Sequence, residues 1–82
     1  MARYVSSRNP ISACALKRKS IGSVVVHHWS YGEVRFTRVN GGWRAEREDS
    51  VWIRPAEVVS SATVARECNS AVGCKESWAK VY

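Results

Sequence analysis

Three cysteines, Cys14, Cys68 and Cys74, and the adjacent pair His27-His28 are the residues of this 82-residue chain best suited to covalent or metal chemistry. Cys and His are the preferred ligands of zinc, and a thiolate next to an imidazole is a nucleophile. Their spacing supports neither use. There is no Cys-x-x-Cys pair, and successive residues of a strand point to opposite faces, so His27 and His28 would not converge on one ion. Neither a Gly-rich phosphate loop nor a G-x-S-x-G elbow occurs. The expectation is a non-enzymatic protein with no catalytic residue, no metal, no cofactor and no small-molecule substrate. Small secreted scaffolds carry even sets of cysteines, whereas this set is odd, so the thiols read as small buried hydrophobes in a reducing compartment rather than as a Cys68–Cys74 disulfide. Met1-Ala2-Arg3-Tyr4 does not lead into an apolar signal core, which points to a cytoplasmic protein. The longest apolar stretches, Ala13-Cys14-Ala15-Leu16 and Val24-Val25-Val26, fall far short of the roughly 20 residues of a membrane span, so no membrane partner is expected.

What remains is binding chemistry, and the charge is unevenly placed for it. The net charge is +6. Residues 1–32 hold Arg3, Arg8, Lys17, Arg18 and Lys19 and no carboxylate, while the rest of the chain nearly balances its Lys and Arg with Asp and Glu. Such asymmetry points to a polyanion: nucleic acid, or an acidic protein or nucleoprotein surface. The bland alternative is a solvated basic surface that keeps a small protein soluble. Arg38 and Arg47 join the five N-terminal cations as candidate contacts, placed at the margins of a sheet.

Four tryptophans and three tyrosines are many for so small a core. Trp29 and Trp43 are expected to anchor a sheet-to-helix interface, since Trp is largely buried on average. Trp52 and Trp78, near Arg54 and Lys80, and the terminal Tyr82 are candidate interface anchors, because Trp, Tyr and Arg are enriched at binding hot spots. Two functions follow. The first is a nucleic-acid-associated protein acting through its basic N-terminal segment. The second is a compact interaction module or inhibitor, of viral or mobile-element type, docking through Trp52, Arg54, Trp78 and Tyr82 on a larger host protein or nucleoprotein complex.

Stepwise helix signals mark residues 10–19: Asn9 as N-cap, Pro10 at the first position, Lys17-Arg18-Lys19 in the last turn and Gly22 beyond. Ser23–Trp29 reads as a first strand. Glu33–Val39, Asn40-Gly41 and Gly42–Glu48 form a hairpin, with Asn-Gly expected to make a type I′ turn. A two-residue turn sets Phe36 opposite Ala45 and Arg38 opposite Trp43 and collects Val34, Phe36, Trp43 and Ala45 on one face; a three-residue turn would mix charge into that face. The opposite face, with Glu33, Arg35, Thr37, Arg44, Glu46 and Glu48, is a poor platform for phosphates. Val51-Trp52-Ile53, stopped by Pro55, reads as a third, edge strand. Ala56–Ser70 reads as a second helix whose β-branched pairs leave Ser60 or Ser61 as an alternative cap. The expected fold is α+β within one domain, residues 1–82: a small three-stranded antiparallel sheet with an N-terminal and a C-terminal helix, α-β-β-β-α. Residues 1–8 read as a flexible basic segment.

That order resembles the layout of double-stranded-RNA-binding domains, although Pro55-Ala56-Glu57 stands where they carry a lysine-rich helix start. The run Gly42-Trp43-Arg44-Ala45-Glu46, with Asp49, Val51-Trp52-Ile53 and Ala56-Glu57, is similar to part of the AP2-type DNA-binding domain, a three-stranded sheet packed on a helix. The resemblances are at the level of topology and assign no site residue here.

Overall fold

The computed structural model describes residues 3–18, 20–47 and 57–82. The elements are β1 (Arg3–Tyr4), α1 (Ala13–Leu16), β2 (Ser23–His28), β3 (Gly32–Val39), β4 (Gly42–Arg47), β5 (Glu57–Val59), α2 (Ser61–Val72) and β6 (Trp78–Val81). They form one six-stranded antiparallel sheet in the order β1-β6-β2-β3-β4-β5. This overturns the expected three-stranded sheet between two helices. The expected edge strand Val51-Trp52-Ile53 lies outside the described residues, and strands form instead where none was expected.

The expected first helix shrinks to the four residues Ala13–Leu16, and each end has a cause. Asn9 does not cap it: the Asn9 N–H donates to the carbonyl (3.1 Å) and hydroxyl (3.0 Å) of Ser6, turning the chain early. Ile11 is then fastened to α2 by a two-point amide clamp, donating its N–H to Asn69 Oδ1 at 3.0 Å and accepting from Asn69 Nδ2 at 2.8 Å. Ser12, in extended backbone, is the true cap and accepts from Ala15 N–H at 3.1 Å. At the other end the Arg38 guanidinium donates to the carbonyls of Leu16, Arg18 (2.7 Å) and Ile21 (2.9 Å), satisfying groups that a longer helix would have used internally.

The second helix starts later than the apolar spacing suggested. Val58 and Val59 favour a strand and pair with Arg44 and Trp43, while Ser60 caps α2 by accepting from Thr63 N–H at 3.2 Å. Gly73 ends it. Within the segment read as flexible, Arg3 and Tyr4 pair with Val81 and Lys80, and Val5 is buried and donates its N–H to the Ala79 carbonyl at 2.9 Å.

The hairpin register matches the sequence reading, with Phe36 opposite Ala45 and Arg38 opposite Trp43. The turn type does not. Gly41 has φ 85°, but Asn40 keeps a negative φ, so the pair does not make a type I′ turn. Gly42 is required by close approach: a Cβ there would meet the Val59 carbonyl oxygen at 2.5 Å, so only glycine lets β5 close onto β4.

Alternation along each strand sends one set of side chains toward the helices. Val24, Val26, Val34, Phe36, Trp43, Ala45, Ala79 and Val81 meet Leu16, Val64, Ala65, Cys68 and Ala71 in a single core. Trp43 is fully buried, as expected, with its indole N–H donating to Ser61 Oγ at 3.1 Å. Trp29 is not: it is 63% exposed at the β2–β3 hairpin tip. The expectation rested on the average burial of Trp, but the strand ends at His28 and Trp29 falls in the turn.

Candidate binding surface on the open sheet face

Both helices lie on the side that carries the core, which leaves the other side of the sheet uncovered among the described residues. Cross-strand pairing defines that open face. One row runs Tyr4, Lys80, Val25, Arg35, Glu46, and a second pairs Trp78 with His27 and His27 with Glu33. Directly opposed residues share a face, so these side chains stand together.

The half of this face built by β1, β6 and β2 is aromatic. The His27 ring stacks on Trp78, centroids 5.6 Å apart and planes within 15°, and Tyr4 meets Trp78 edge-on at 6.1 Å. The Lys80 ammonium lies over two rings, 5.0 Å from the Tyr4 centroid and 5.2 Å from that of Tyr82. Tyr4 is 63% and Tyr82 45% exposed. Val25 is buried here between Lys80 and Arg35, which keeps the two cations upright on an apolar base. The other half, on β3 and β4, alternates Arg35 and Arg44 with Glu33 and Glu46, the mixed surface read from the hairpin alone.

Most of the candidates from the sequence fall within the described residues. Arg3 lies in β1, and Arg8, Lys17 and Arg18 are exposed in the loops around α1; further on, Gly22 N–H donates to the Tyr82 carbonyl at 3.0 Å. Lys19, Trp52 and Arg54 lie outside the described residues. Trp78 and Tyr82, chosen as anchors, both stand on the open face. Arg38 and Arg47 point to the helix side and are occupied. Arg38 holds the end of α1 and lies 4.4 Å over the Trp43 ring. Arg47 makes a two-pronged pair with Glu67, at 2.9 and 3.0 Å, and reaches Glu57 at 3.5 Å. The hydrogen bonds that Arg47 donates to Glu67 hold its guanidinium above its ordinary pKa despite partial burial.

Sequence reasoning missed Tyr4, His27 and Lys80 as members of one cluster. The signal was present: Trp78, Lys80 and Tyr82 alternate with Ala79 and Val81, a period-2 pattern of polar and aromatic against apolar residues.

The three cysteines are thiols, with Cys14 exposed, Cys74 half-buried and Cys68 fully buried. Burial pushes the Cys68 pKa up from 9.0 to about 12, which removes it as a nucleophile near neutral pH. Among the described residues no three His, Cys, Asp or Glu side chains converge on a possible metal position, and no helix is long and apolar enough to cross a membrane. Compared with known protein families, curated proteins and solved structures, the chain finds no match.

Proposed function

We propose that this protein is a non-enzymatic, cytoplasmic nucleic-acid-binding protein whose contact surface is the open sheet face, taking single-stranded nucleic acid. The carrying observation is the ring cluster Tyr4, Trp78 and His27 beside a lysine held over Tyr4 and Tyr82. A single strand needs two things that this surface combines: π-faces on which unpaired bases stack, and cations for the phosphates between them. Arg35 and Arg44 extend the cationic path across β3 and β4. Arg3, Arg8, Lys17 and Arg18 supply positive potential around it, so the basic N-terminal segment acts with the sheet rather than alone. Duplex recognition is disfavoured, because a flat sheet face reaches stacked bases poorly.

The test is a fluorescence titration of the protein with a ten-nucleotide oligo(dT) and with a duplex of equal length. Quenching of tryptophan by the single strand is expected, with affinity falling on a log–log salt plot by about 0.7 per phosphate contact. No quenching at low salt, or preference for the duplex, defeats the reading.

A second reading is favoured by a separate observation. Trp29 and Tyr31 are 63% and 74% exposed at the hairpin tip. Rigid aromatic tips of this kind suit a protein partner, where a few desolvated anchors dominate affinity. A partner captured from lysate after nuclease treatment, and lost with Trp29→Ala, would support it.

A further inference from the structure

Lys80 differs from the other cations of the open face. Arg35 stands directly opposite Glu46, and Arg44 lies on the same mixed half of the sheet, whereas Lys80 is half-buried opposite Val25 and, among the described residues, forms no ion pair. Its ammonium rests over Tyr4 and Tyr82. We infer that these three side chains form one dinucleotide subsite: Tyr4 and Tyr82 each take a base, and Lys80 leaves the rings to bind the phosphate that joins them. The inference rests on the reading of the open face as a single-strand surface.

Spacing comes first. Tyr4 pairs directly with Lys80 across β1 and β6, and Tyr82 follows Lys80 by two residues, an advance of roughly 7 Å along extended backbone. That is about the reach of one nucleotide in an extended single strand. The Lys80 nitrogen lies 5.0 Å from the Tyr4 centroid and 5.2 Å from that of Tyr82, so successive bases on the two rings bring their common phosphate beside it.

Fixed placement comes second. The Tyr82 N–H donates to the Ser23 carbonyl at 2.9 Å, and its own carbonyl accepts from Gly22 N–H at 3.0 Å. On the other side, Val5 N–H donates to the Ala79 carbonyl at 2.9 Å beside Tyr4, whose ring meets Trp78 edge-on at 6.1 Å. Both rings are therefore carried on secured backbone before a ligand arrives, which lowers the entropic cost of binding.

Exchange comes third. An exposed cation–π contact is weaker than a base stack, and the lysine ammonium sits on a flexible four-carbon stem with three rotatable donors. A base therefore displaces it from each ring. Lys80 then regains a partner in the phosphate, through a charge-assisted hydrogen bond. Neither half of the ligand suffices alone: a free phosphate offers the rings nothing, and an uncharged base pair of stacks leaves the displaced ammonium without a counter-charge.

The test titrates the intact protein with the thymidine dinucleotide TpT, its neutral methylphosphonate-linked analogue, thymidine 5′-monophosphate and inorganic phosphate, following the ring protons of Tyr4 and Tyr82 and the Lys80 side chain by NMR. TpT is expected to shift all three along one saturation curve. At low salt it should bind at least about tenfold tighter than the monophosphate, which lacks the second base, and than the analogue, which lacks the charge. Lys80→Met, which keeps the stem and removes the charge, should erase the difference between TpT and its analogue. It should also lower the oligo(dT) salt slope by about 0.7, the value of one phosphate contact, with the Val24 and Ala79 amides in place as proof of an intact fold. Equal binding of TpT and its analogue to the unmutated protein overturns the inference, and so does a Lys80 shift that inorganic phosphate produces as readily as TpT. Either result alongside tryptophan quenching by oligo(dT) sinks the subsite and leaves the open-face reading standing. TpT selectivity without oligo(dT) quenching does the reverse, leaving a dinucleotide site on a surface that takes no longer strand.

Discussion

The two faces of the sheet are built by alternate residues of the same strands, yet they use cations in opposite ways. On the helix side Arg38 and Arg47 are engaged by three carbonyls, two carboxylates and a tryptophan ring. On the open side the Lys80 ammonium lies over the rings of Tyr4 and Tyr82, and Arg35 and Arg44 are exposed. Net charge therefore says little about where a polyanion would dock. What matters is whether each cation already has a partner that desolvates it, since a guanidinium in a bidentate pair offers a phosphate little.

Mutations should separate the faces sharply, beginning with the core. Trp43→Ala is expected to destabilise the fold by about 3–5 kcal/mol, the cost of a large cavity plus lost burial, read as a fall in the urea midpoint. No open-face substitution should approach that value.

Second in size is a pH effect confined to the helix side. Cys68 has its pKa raised in the fold, so the unfolded chain releases this proton first. Its stability contribution is whole below pH 9.0 and is lost as pH rises from 9.0 toward about 12. The expected slope is on the order of 1 kcal/mol per pH unit within that window. Cys68→Ala should flatten it, whereas Cys14→Ala, at an exposed thiol, should not.

Next, Arg38→Ala should cost about 1–3 kcal/mol of stability by leaving the α1 carbonyls without a donor, and Arg38→Lys should rescue little because an ammonium lacks the planar fork. Oligo(dT) affinity of the folded variant should be unchanged. The mirror experiment is Trp78→Ala, expected to weaken oligo(dT) binding by about 1–3 kcal/mol, the worth of one base stack, with a smaller change in the urea midpoint. If Arg38→Ala lost binding or Trp78→Ala lost only stability, the contrast between the faces would be wrong.

The parts legible in the sequence were those governed by near neighbours. β-Branched content announced β2, and Asn-Gly between alternating runs gave the β3–β4 register through Phe36 and Ala45. The parts not legible depended on distant partners. Nothing near Arg3-Tyr4 says that it pairs with Val81 and Lys80, and a two-residue strand has no periodicity of its own. α1 carried every local signal of a longer helix and was shortened by Asn69 and Arg38, both remote in sequence. The ring cluster was hidden for the same reason: Tyr4, His27 and Trp78 are three isolated aromatics until β6 slots between β1 and β2.

That insertion has a kinetic side. β6 is the last element in the chain, yet it lies inside the sheet, with β1 on one edge and β2 on the other. The first strand can find its place only after the last one has docked, so nearly the whole chain must be looped before Arg3 meets Val81. Contacts of such long sequence separation close late and slow the overall rate. The β2–β3–β4 meander, joined by tight turns, is local enough to form first and then to wait with the exposed edge of β2 unpaired. During that interval the edge strand Val24-Val25-Val26 is the segment most exposed to pairing with another molecule. Refolding should thus show a concentration-dependent loss of yield, relieved by adding a peptide spanning residues 77–82 in trans.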